Sequence, residues 1–237
     1  TSNTTGSNNT AVGKDALRAN TDVGGQTAVG HSALKANTTG ENGVAVGQNA
    51  LLSNTTGSRN TAVGHSALSL NTAANNNTAI GFEALKSVAS SGANYSNVAV
   101  GTYALKNLES STSGNAVQNI AIGVEALESA TSAYRCIAIG YRALESNQTT
   151  NTTVAIGYYA LQALTTGTGN TAIGHYSMAN CTTSLSNTCI GYSAGANITT
   201  GNGENVCIGH NAAVSMTTGQ QNIFFVDNAG GGATITG

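Results

Sequence analysis

The chain has no proline and no tryptophan, only two methionines and three phenylalanines, and just 8% of its 237 residues are charged. Each shortage excludes something. A net charge of −2 offers neither a basic footprint for nucleic acid nor an acidic tail. No apolar run approaches the ~20 residues that a membrane helix needs, and no charged start followed by an apolar segment reads as a signal peptide. There is no Cys-x-x-Cys metal spacing, no Gly-x-Ser-x-Gly nucleophile turn and no phosphate loop. No isolated carboxylate pair suits acid–base chemistry. The sequence reads as non-enzymatic, with no cofactor and no metal.

What is present is repetition. A run of the form Asn-Thr-Ala-Val/Ile-Gly closes on Gly13, Gly30, Gly47, Gly64, Gly81, Gly101, Gly123, Gly140, Gly157, Gly174, Gly191 and Gly209, and a degenerate thirteenth copy puts Val226 at that point. The intervals are 17, 17, 17, 17, 20, 22, 17, 17, 17, 17, 18 and 17 residues, so the unit is 17 long with insertions at few places. A fixed short period marks a supersecondary unit that buries its apolar face only by stacking on copies of itself. Thirty glycines and abundant Asn, Thr and Ser would suit a disordered chain, but periodic Val, Ile and Leu do not. The expectation is one all-β solenoid domain over 1–237, with 221–237 a degenerate C-terminal coil or cap. Because the chain opens in mid-repeat at Asn3-Thr4-Thr5-Gly6, it reads as a fragment or processed product.

Within one copy, strand alternation puts Thr61, Val63 and His65 on one face and Ala62 and Gly64 on the other. A second apolar run, Ala67-Leu68, precedes a corner that sister copies spell Asn37-Thr38-Thr39-Gly40 or Asn54-Thr55-Thr56-Gly57, where Asn and Gly would supply positive φ. Phe82-Glu83-Ala84-Leu85-Lys86 uses good helix formers, but six residues between glycine and corner fall short of the ~12 that a stable helix needs. Two short strands and two turns per coil are expected, stacked in parallel about 4.8 Å apart. Both strand faces avoid charge, and no helix exists to cover the outer one, so a neighbouring subunit is the expected cover. Ala121 is expected inside and Ser66 outside.

The runs Asn60-Thr61-Ala62-Val63-Gly64, Asn97-Val98-Ala99-Val100-Gly101 and Asn119-Ile120-Ala121-Ile122-Gly123, each followed at a fixed distance by Ala, resemble the head repeats of the trimeric autotransporter adhesins. They are also similar to Asn-Thr-Ala-Ile-Gly repeats of phage tail fibres. The resemblance covers nearly the whole chain. It implies a left-handed parallel β-roll, a homotrimer, an extracellular place on a virion fibre or cell surface, and attachment to a host-cell or surface receptor such as a glycan. The unit here is longer than the adhesin repeat, which implies longer turns.

Candidate contacts fall into two groups. The long intervals between Gly81, Gly101 and Gly123 would leave the coil as stacked loops, with Asn94, Tyr95, Ser96 and Asn115 as receptor contacts. A surface or interface stripe follows the motif glycine: His31, His65, Phe82, Tyr141, Tyr158, His175, Tyr192 and His210. Histidines in this stripe never occupy neighbouring copies, so within one chain they lie too far apart to share a zinc ion. Cys189 and Cys207 replace motif alanines and Cys136 and Cys181 motif asparagines, which suits small buried thiols. Lys86, Lys106, Glu128 and Glu145 share one offset, and Glu125 and Arg142 another, as pairs between rungs.

Two other classes are weighed. Ice binding could use the recurrent Thr-Thr doublets, although in a strand the two hydroxyls would face opposite ways. A trimeric β-helix acyltransferase would use a histidine near a subunit boundary, but such chains repeat [LIV]-G-x-x-x-x every six residues, whereas this unit is 17.

Overall fold

The computed structural model describes residues 2–88, 95–108, 117–201 and 203–225. Contacts group the chain into two compact units, residues 1–119 and 120–237. In the first unit the strands are β1 (Thr10–Val12), β2 (Thr27–Val29), β3 (Val44–Val46), β4 (Thr61–Val63), β5 (Thr78–Ile80), β6 (Ser87–Val88), β7 (Val98–Val100) and β8 (Asn107–Leu108). The second holds β9 (Ile120–Ile122), β10 (Ile137–Ile139), β11 (Val154–Ile156), β12 (Thr171–Ile173), β13 (Thr188–Ile190), β14 (Val206–Ile208) and β15 (Ile223–Phe225). Each unit is an all-β solenoid, and no helix occurs among the described residues.

Every motif run becomes one three-residue strand, paired in parallel with the equivalent residues of the next coil. Thus Thr61 lies on Thr78, Ala62 on Ala79 and Val63 on Ile80. In the second unit Ile137 lies on Val154, Ala138 on Ala155 and Ile139 on Ile156. From β2 onward the strand alanines point inward and are fully buried, while Thr/Val and Val/Ile on either side face out. A large side chain at the alanine position would collide with the same position one rung away, which explains why Ala is used.

Two strands per coil were expected, and one is found. Among the described residues, only β6 and β8 add a second strand pair, Ser87 on Asn107 and Val88 on Leu108, beside an isolated bridge between Tyr134 and Asn151. Elsewhere the Ala-Leu half of the repeat is a stack of turns with alternating backbone handedness. Ser66 and Leu68 both take left-handed φ, 57° and 51°, as do Ser32 and Leu34 two copies earlier. Left-handed backbone costs a non-glycine residue ~1–2 kcal/mol, and leucine rarely adopts it. Two gains offset that cost here. The Leu34 amide donates to Ala50 O one rung on at 3.0 Å, and its side chain is wholly buried, which stabilises by ~1.5–3 kcal/mol. Ser66, expected to face outward, is buried, because the left-handed turn folds it against the coil while its amide donates to Gln48 O.

The corner also differs from its sequence reading. Asn37, Asn54 and Asn71 are buried, and none is among the positive-φ residues. Asn54 Nδ2 donates to Asn37 Oδ1 and to Gly57 O, both at 2.8 Å, and Asn71 repeats the link to Asn54. A second ladder runs through the strand-leading asparagines Asn60, Asn77, Asn97 and Asn119, and again through Asn170, Asn187, Asn205 and Asn222. Corner glycine Gly40 serves close approach rather than φ, since a Cβ there would sit 2.2 Å from Gly57 O.

The motif glycine is constrained by both space and φ. Gly64 has φ +133°, and a Cβ on it would lie 2.4 Å from Gly81 O. Gly64→Ala should therefore cost ~3 kcal/mol or more through strain and displaced backbone. Ala121→Leu should be overpacked by ~1–3 kcal/mol. Chemical denaturation of both variants checks the ranking; wild-type stability for either would show that its face has been misassigned.

Candidate interaction surface

Counting outward-facing positions along the coil gives three columns. The first carries Thr27, Val44, Thr61 and Thr78 in the first unit and Ile137, Val154, Thr171 and Thr188 in the second. Next comes a column of Val and Ile, of which Val46, Ile80, Ile122 and Ile190 are exposed. Neither column holds a charged residue in any copy. Outside the bend that follows stands the third column, of rings.

The structure brings together much of the predicted stripe. His65 stacks on Phe82 with centroids 5.2 Å apart, Tyr141 on Tyr158 at 5.3 Å, Tyr158 on His175 at 5.9 Å, and Tyr192 on His210 at 5.2 Å. His31 lies exposed at the same position of its own coil. A second column was missed by sequence reading: Tyr159 stacks on Tyr176 at 5.7 Å, and both meet Tyr158 edge-on at 4.3 and 5.6 Å. Its signal was available, since Tyr103, Tyr159 and Tyr176 all stand two residues after a motif glycine. The left-handed backbone of that position turns the side chain back beside the first column. A hydrogen bond to Tyr159, with burial behind it, holds the Tyr158 phenol above its usual range.

Ion pairs flank the rings. Glu83 accepts from Lys86 at 2.9 Å and faces Lys106 at 3.4 Å, and Lys106 also lies over the Tyr103 ring at 4.1 Å. Arg142 pairs with Glu125 across one rung and with Glu145 at 3.6 Å. Carboxylate oxygens of Glu125, Glu128 and Glu145 lie within 4.8 Å of one another, and Arg142 supplies their counter-charge.

The loop contacts fare differently. Asn94 and Asn115 lie outside the described residues. Tyr95 is fully buried, which removes it as a receptor contact; counted back from Gly101 it belongs to the regular coil rather than to the insertion. Ser96 is exposed at left-handed φ. The paired β6 and β8 put equivalent residues early in the two long intervals in register with each other, and toward the ends of those intervals the Gln118 amide donates to Tyr95 O.

The threonine doublets lie in turns, so Thr38 and Thr39 are both exposed, contrary to the opposite-facing expectation. The first hydroxyl is engaged in most doublets: Thr38 Oγ1 donates to Thr55 O and Thr182 Oγ1 to Thr199 O, each at 3.0 Å, and Thr55, Thr165 and Thr199 make the same bond.

All four cysteines are buried free thiols. Cys189 lies in register with Cys207, and the hydrogen bond between them together with burial pushes the Cys189 thiol up. Burial raises Cys181 to about 11. Gly195 stands where most copies have leucine, and Cys189 Sγ and Ile198 occupy the space that its side chain would need.

No protein-family model, curated protein or solved structure matches the chain. The surface must therefore be read from its own chemistry.

Two outcomes follow. Maleimide labelling should leave all four thiols unmodified in native protein at neutral pH and reach them only on unfolding. Hydrogen bonding to Lys86, reinforced by Lys106, lowers the Glu83 carboxyl below 4.5, so its contribution is present above that pH and is lost as pH falls through the depressed folded value. Glu83→Gln should flatten the fall of melting temperature between pH 6 and pH 3; an unchanged acid limb would show that the pair contributes nothing.

Proposed function

We propose that this chain is a non-enzymatic structural and adhesive fibre segment, extracellular on a virion fibre or cell surface, that extends as a left-handed homotrimer and mediates attachment. One observation carries the reading: the outward positions of the strands repeat from copy to copy, are half-buried to exposed, and are free of charge in every copy. Water against a column of Val and Ile is unfavourable by about 25 cal/mol per Å², and contact between like faces of neighbouring copies removes it. A sheet that is apolar outside as well as inside suits assembly, because no element of the chain itself lies over that face among the described residues. The motif resemblance supports three copies, and the engaged doublet hydroxyls favour attachment over ice binding.

Sedimentation equilibrium should return about three times the 23.5 kDa chain mass. Val63→Lys combined with Ile80→Lys places charge on the proposed contact and should yield monomer with unchanged β circular dichroism. A stable wild-type monomer at micromolar concentration would sink the reading.

A further inference from the structure

Resting on the adhesive reading, we infer that the tyrosine columns of the second unit form a binding surface for an uncharged, linear carbohydrate lying along the coil axis. The first observation is charge. Between Glu145 and Glu204 the sequence contains no Asp, Glu, Lys or Arg, and four of the eight tyrosines, Tyr158, Tyr159, Tyr176 and Tyr192, fall in that interval. Just before it, Arg142 pairs with both Glu125 and Glu145, so its charge is already matched and offers nothing to an anionic ligand. A charged ligand would find no counter-charge here and would be desolvated without compensation.

Exposure is the second observation. Tyr158, Tyr176 and Tyr192 are 36%, 37% and 48% exposed. In a soluble chain, concentrated tyrosine at this exposure, with Ser193, His210 and Asn211 beside it, has the composition of surfaces that recognise polar ligands through rigid amphipathic rings and adaptable hydrogen bonds. Stacking between rungs fixes those rings in advance, so little side-chain freedom is lost on binding.

Shape is the third. Ring faces are turned toward the rings above and below, with interplanar angles of 18° and 27° around Tyr158. Tyr159 holds the Tyr158 hydroxyl, and the hydroxyls of Tyr176 and Tyr192 are left for a ligand, which selects hydrogen bonding over stacking of a sugar on a ring face. Tyr158, Tyr176 and Tyr192 stand on three successive rungs, ~4.8 Å apart along the axis, with Tyr176 in the second column and the other two in the first. A ligand that engages several rungs must itself repeat at about that interval, and a saccharide unit in an extended neutral polymer is of that size.

Isothermal titration with neutral hexasaccharides of glucose, galactose and mannose tests this. At least one should bind saturably. The variant Tyr158→Phe/Tyr176→Phe/Tyr192→Phe keeps the stacks and removes the hydroxyls; it should retain the wild-type circular dichroism and sedimentation mass and lose affinity at least tenfold. Absence of binding by all three sugars, or equal binding by the triple variant, overturns the inference. Binding only of sulfated oligosaccharides, abolished by salt, also overturns it and moves the site to Lys86 and Lys106. A trimer that ignores neutral sugars defeats this inference alone, whereas a wild-type monomer defeats the fibre reading beneath it.

Discussion

Everything in this molecule depends on the closeness with which one rung approaches the next. Peptide groups of successive coils hydrogen-bond in register along the strand and through the left-handed turns, and at the motif glycine no Cβ can be accommodated against the neighbouring carbonyl. Once that spacing is set, every side chain meets its own counterpart from the next copy. Like must then tolerate like. Alanine fits on alanine inside, asparagine bonds asparagine because its amide both donates and accepts, and rings stack on rings. Charges satisfy the same condition only by alternating sign or sharing a partner, as Glu83 does between two lysines.

The same condition governs local conformation. Leucine in the left-handed region is unfavourable in a free peptide, and an isolated 17-residue coil would have neither the amide partner nor the buried environment that offsets it. Stability is therefore cooperative between neighbours rather than resident in any one copy. Where leucine is missing, at Gly195, the core is completed from other positions by Cys189 and Ile198, so the volume is preserved although the residue type is not.

Much of this was legible in the sequence, because the period, the all-β solenoid, the inward alanine and the ring stripe follow from spacing and alternation. What escaped was the backbone of the second half-coil. Propensity rules assign positive φ to Asn and Gly, so the asparagines of the corner were given a role that belongs to Leu68 and Ser66, and the buried ladders through Asn54 and Asn71 went unseen. Tyr95 was misplaced for another reason: an insertion obscures where the regular coil resumes. The second tyrosine column was visible as an offset but has no meaning until the turn that aims it is known.

The corner at which β6 and β8 pair has a consequence for how such a chain can change over time. Anywhere else, gain or loss of one residue would put alanine against valine, asparagine against threonine and glycine against a side chain in every rung beyond it. Length is thereby quantised, varying by whole coils through duplication or deletion of complete units. At this corner of the coil the intervals of 20 and 18 residues still leave the flanking strands in register, so it is the place where new sequence can be tried without disturbing the rungs beyond it.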